Sequence, residues 1–122
     1  MKLRFMILVA EMTLGANPTT SFATGPHLAI GDGNQSCEAW TQERARETQL
    51  VLFWKEWVLG FVSGANVYDG NPELFPGQRP DAAAIYAWID NYCRANPGEK
   101  LLDAVIALVG ELLDRARQTN PQ

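Results

Sequence analysis

The chain has two cysteines, one histidine and three lysines among its 122 residues. With only Cys37 and Cys93, and no Cys-x-x-Cys, neither dithiol redox catalysis nor a cysteine zinc site has a ligand set. The one histidine, His27, falls in the Gly-rich, polar stretch 24–35, so a Ser/His or Cys/His pair would lack a scaffold. No Gly-rich phosphate loop is present. No run of about 20 apolar residues exists, as a membrane-spanning helix requires. No segment alternates apolar and polar residues with the period of a strand. Lysines and arginines form no cluster in a chain of net charge −4, so nucleic acid and anionic membrane surfaces are not expected partners.

Hydrophobic residues make up 47% of the chain and charged residues 20%, the balance of one ordinary globular domain. The N-terminus has two readings. As an export signal, Lys2 and Arg4 precede the apolar run Phe5–Ala10, and Ser21-Phe22-Ala23 offers small residues for cleavage. As a cytosolic tail, the same stretch is interrupted by Glu11 and by Asn17-Pro18. The domain division is a signal over 1–23, a flexible leader over 24–35 and a helical domain over 36–118. Loss of the signal would leave 8 basic and 13 acidic side chains.

Four helices are expected, giving an all-α, compact four-helix domain with one disulfide. The first opens at Ser36, a good N-cap, and runs to about Thr48. Its apolar face is thin, so it should lie across the other helices rather than among them. The second carries Leu50, Phe53, Trp54, Trp57, Val58, Phe61, Val62 and Ala65 at helical spacing. Gly60 and Gly64 interrupt it at a cost of about 1 kcal/mol each, which points to close approach of another helix of the chain. Breakers at Asp69–Pro72 and Pro76–Pro80 bound a loop in which Leu74 and Phe75 should pin the chain back onto the core.

The third helix begins near Pro80-Asp81 and carries Ile85, Trp88, Ile89, Tyr92 and Cys93 on one face. It stops at Asn96-Pro97, because a residue before proline leaves the helical region. The same dipeptide should start the fourth helix, with Asn96 as N-cap and Glu99 at the third position. That helix presents Leu101, Leu102, Val105, Ile106, Leu108, Val109, Leu112 and Leu113, then frays from Arg115.

A lone cysteine pair in an exported chain is most simply one structural disulfide. Closing residues 37–93 would stabilise by about 4 kcal/mol on the chain-entropy model. A pair of reduced thiols is the cytosolic alternative. Asp90 and Asp103 fall on the polar sides of their helices and read as solvated surface residues. Trp40, Trp54, Trp57 and Trp88 give an aromatic-rich core, with an apolar ligand pocket as the second reading. The Asn34-Gln35-Ser36 sequon is too short a pattern to carry weight. The chain therefore reads as non-enzymatic, with no cofactor and no metal.

The runs Trp57–Asn66 and Trp88–Pro97, each around a short helical motif, resemble small secreted proteobacterial proteins. These are the HdeA-type periplasmic chaperones and the Tai-type immunity proteins that neutralise secreted amidase toxins. The likeness covers residues 36–113 and is most specific at the Tyr92-Cys93-x-x-Asn96-Pro97 corner. It implies a periplasmic or secreted four-helix domain with a Cys37–Cys93 bridge. The chain departs from the immunity proteins in having two cysteines rather than four, and from the acid chaperones in having only Lys55 and Lys100 after the signal. The expected function is a periplasmic binding or interaction protein, immunity-like, with an HdeA-like acid-stress chaperone as the alternative. A toxin or client protein is the expected partner and a homodimer is allowed for. Asn66, Tyr68 and Phe75 are the candidate partner-binding residues.

Overall fold

The computed structural model describes residues 28–119. The expected signal, His27 and residues 24–27 of the leader lie outside the described residues. A single 3-10 turn at Asp32–Asn34 leads into four helices: α1 Cys37–Arg46, α2 Gln49–Val67, α3 Ala82–Ala95 and α4 Leu101–Thr119. The fold is all-α. Among the described residues there is no strand, only an isolated bridge between Ser36 and Lys100.

Local chemistry accounts for most helix ends. The Ser36 hydroxyl accepts from the Ala39 amide, Thr48 from Val51 and the Asp81 carboxylate from Ala83, each satisfying an N–H that the first turn leaves free. Between α1 and α2, Glu47 takes a left-handed conformation with φ of 50°. The fourth helix starts later than its Asn96-Pro97 signal implies. The carbonyls of Pro97 and Glu99 accept from the amides of Glu38 and Cys37, and the Leu101 amide donates to Gln35. Residues 97–100 are thus spent on capping α1, and α4 begins only once Asp103 accepts from the Lys100 amide. Asn96 ends α3 instead of opening α4. At its other end α4 does not fray at Arg115: it continues to Thr119, and Ala116 is buried.

One core is assembled from all four helices, with α4 supplying nine buried residues from Leu101 to Ala116. The buried edge of α2 is Val51, Trp54, Val58 and Val62, with Trp57, Phe61 and Ala65 packed at its margin. Leu50 and Phe53, expected inside, are 49% and 59% exposed. Because α2 is apolar nearly all round, its periodicity does not single out one edge. Gly60 and Gly64 do not receive another of the four helices: among the described residues, a Cβ built on either meets nothing within 4 Å.

The short first helix runs antiparallel along α3 rather than across it. Cys37 is bonded to Cys93, the Trp40 indole donates to Asp90, and the Arg44 guanidinium lies over the Tyr86 ring. Each step of three or four residues along α1 is matched by an equal step back along α3. Cys37, Trp40 and Cys93 are fully buried. Thus a helix with almost no apolar face is docked by one disulfide and one indole.

Residues 28–35, assigned to the leader, are held against the domain. Trp57 Nε1 donates to the Ile30 carbonyl at 2.9 Å, and the Asn34 side chain both accepts from and donates to the Ala29 backbone. Gly33 sits under the Trp57 ring, where a Cβ would lie 2.3 Å from ring carbons.

Candidate functional site

The α2–α3 connection is built from short polar clasps. Asn66 Oδ1 accepts from the Leu74 amide at 2.8 Å, and Asn71 Nδ2 donates to the Ala65 carbonyl at 2.9 Å. Both use side-chain amides to satisfy backbone groups that the helix end and loop leave free. With the backbone held, Leu74 enters the core and is buried. Gly77 turns the chain with a φ of 67°, and the Gln78 amide closes onto the Phe75 carbonyl. Tyr68, just past the end of α2, keeps its ring at the surface, lying against Gly70.

The three candidate contact residues therefore take different places. Tyr68 is an exposed aromatic on a fixed backbone. Asn66 is half-buried and its carbonyl oxygen is used inside the loop. Phe75 is half-buried, packs on the core and lines a groove of about 450 Å³ between the loop, α3 and α4. Ile85, Trp88 and Leu112 line the groove with it, and so do the arginines Arg79 and Arg115. Its volume is within the range of small-ligand and side-chain sites.

Acidic groups around the groove are already occupied. Glu111 accepts from the Trp88 indole and from Arg115, and Asp81 caps α3. Arg79 is exposed and makes no ion pair with the described residues. The groove therefore combines apolar walls with guanidinium donors that are not fully used, a setting for an apolar group flanked by a carboxylate. Further along α3, Trp88 stacks on Tyr92 with centroids 5.5 Å apart. Burial, followed by the hydrogen bond to Glu99, pushes the Tyr92 hydroxyl up to about 12.

Asp90 is the residue that sequence reasoning placed wrongly. It is not a solvated surface carboxylate: it accepts from Trp40 Nε1 at 2.8 Å and from Arg44 through both oxygens, at 3.0 and 2.7 Å. Burial alone would raise its pKa. Hydrogen bonds from Arg44 and Trp40, with the charges of Arg44 and Arg94, outweigh burial and hold it below the ordinary carboxylate range. The same bond raises Arg44. A carboxylate with these acceptor sites committed is a structural anchor and is poorly placed for acid–base chemistry. The sequence signal that could have found it is its spacing: Asp90 lies three residues before Cys93 and Trp40 three after Cys37, so one bridge aligns them. Asp103, in contrast, is exposed at the start of α4, as expected.

No group of three or more His, Cys, Asp and Glu side chains among the described residues could hold a metal ion. No helix among them is long and apolar enough to cross a membrane. Comparison with protein-family models, curated proteins and solved structures gave no match to this chain.

Proposed function

We propose that this chain is a non-enzymatic, exported binding protein that engages one protein partner through the 66–80 loop and the groove beside it. The observation that carries the reading is the groove itself: apolar walls from Phe75 and Trp88 beside Arg79 and Arg115, on a backbone clasped by Asn66 and Asn71. Tyr68 supplies an adjoining exposed aromatic, the residue type that most often anchors an interface. A partner segment with an apolar side chain next to acidic residues fits this surface. An immunity-like role follows if that partner is a toxin whose working surface the loop covers. The disulfide supports an oxidising address, periplasmic or secreted, in line with the basic and apolar N-terminal run.

The test is capture from the native periplasm with the oxidised protein. The reading expects one stoichiometric partner, lost on Tyr68→Ala or Phe75→Ala while the far-ultraviolet circular dichroism stays unchanged. Capture of nothing under several conditions, or of a partner indifferent to both variants, rejects it.

A second reading, an acid-stress chaperone, draws on Asp90. Its protonation would release Arg44 and Trp40 together and loosen α1. Tryptophan fluorescence, hydrophobic-dye binding and client protection followed from neutral to strongly acidic pH decide it. A protein that stays folded, binds no dye and protects no client is no chaperone.

A further inference from the structure

The outward edge of α2 is apolar at both ends and empty in the middle. Leu52 and Phe53 stand 51% and 59% exposed near its start, and Val67 and Tyr68 stand 75% and 66% exposed at its end. Between them come Gly60 and Gly64, each with open space where a Cβ would be. Glycine inside a helix is unfavourable relative to alanine, and no neighbour among the described residues accounts for either one. Glu56 is the one charged residue on this edge, since Lys55 turns toward Tyr86 and Glu47. A helix apolar nearly all round is normally covered on most sides, and the described residues leave this edge of α2 open.

We infer that this edge of α2 packs against the same edge of a second copy of the chain, the two helices antiparallel and crossing at Gly60. A two-fold axis there sets each residue against the one equally far on the other side of Gly60. Phe53 then meets the partner subunit's Val67, and Leu52 meets the partner subunit's Tyr68. Bulk falls on bulk at both ends, and the glycines let the two backbones approach in the centre. Glu56 falls opposite the partner subunit's Gly64, where no side chain obstructs its carboxylate. The two Glu56 side chains stay about 12 Å apart along the axis at 1.5 Å per residue, so they do not oppose one another. The surface is thus self-complementary, as an isologous interface requires.

Leu52, Phe53, Val67 and Tyr68 leave roughly 500 Å² exposed per copy, or roughly 1,000 Å² for a pair when all of it is covered, the size of a weak, reversible interface. A charged partner would find one acid and no base here, and α2 is not apolar enough to cross a membrane. This interface is separate from the 66–80 groove and does not depend on the function proposed for it.

Sedimentation velocity of the purified, oxidised protein across a micromolar concentration series tests the inference. A reversible monomer–dimer equilibrium is expected. Gly60→Leu should weaken association by about tenfold or more, with helical content intact, because the space before Gly60 is open in the monomer. Phe53→Glu should do the same. A Gly60→Cys variant should form a residue 60–60 disulfide between copies under mild oxidation. The inference is overturned if the protein is monomeric throughout the series or if the dimer is indifferent to Gly60→Leu. It is equally overturned if hydrogen exchange shows this edge protected in the monomer by residues 1–27.

Discussion

Trp40 and Asp90, 50 residues apart in the chain, are joined by a 2.8 Å hydrogen bond from the indole nitrogen to a carboxylate oxygen. The bond repeats the antiparallel register of the Cys37–Cys93 disulfide one turn away. Arg44 completes the arrangement by gripping both oxygens of the same carboxylate. A helix with little apolar surface is thereby fixed by three positions on one edge, and each makes a separate prediction.

Asp90→Ala should destabilise the protein by about 1–3 kcal/mol, because it leaves the buried Trp40 N–H without an acceptor and Arg44 with only its ion pair to the exposed Glu47. Urea unfolding of Asp90→Ala, Arg44→Ala and the double variant measures the coupling. Equal, additive losses would mean that the two residues act independently.

The same carboxylate makes stability depend on acid. Its folded pKa lies below that of the unfolded chain, so its contribution is complete above the ordinary carboxylate range and is lost as pH falls through the lowered folded value. The gap in unfolding free energy between the parent protein and Asp90→Asn should therefore narrow in strong acid. A gap that stays constant with pH contradicts the assignment.

Replacing both Cys37 and Cys93 with serine should cost about 2–4 kcal/mol. Amide exchange should rise first in α1, because the other anchors on that edge are two polar contacts from Trp40 and Arg44. Uniform loosening across all four helices would show that the bridge does not specifically hold α1.

Two glycines should respond in opposite directions. Gly33→Ala forces a methyl into the Trp57 ring and should destabilise by about 1–3 kcal/mol, releasing the 28–35 segment. Gly60→Ala fills open space and should stabilise the monomer by about 0.5–1 kcal/mol through helix propensity alone. Thermal melts of both variants at low concentration check the signs.

Much of the architecture was legible in the sequence, for identifiable reasons. Ser36 marks the start of α1, Asn96-Pro97 stops α3, and the Leu/Val pattern of α4 has one clear apolar face. Leu74 and Phe75 reveal a loop returned to the core. The misreadings share a cause: the deciding partner was distant in the chain. Asp90 sits at a polar helical position, and only the docking of α1 brings Trp40 and Arg44 to it. The start of α4 was displaced because carbonyls 97 and 99 cap a helix sixty residues earlier. For α2, apolar residues on every side hid which edge is buried. At the candidate site, composition pointed to the loop, but the groove beside it depends on α3 and α4 converging there.

The central claim is that the 66–80 loop and the adjoining groove form the partner-binding surface. Hydrogen exchange of the protein alone and in complex with its captured partner tests this most directly. The account predicts new protection over residues 66–80, at Trp88 on α3 and around Leu112 on α4. Protection confined to α1 or to the outward edge of α2, with the loop unchanged, would contradict it.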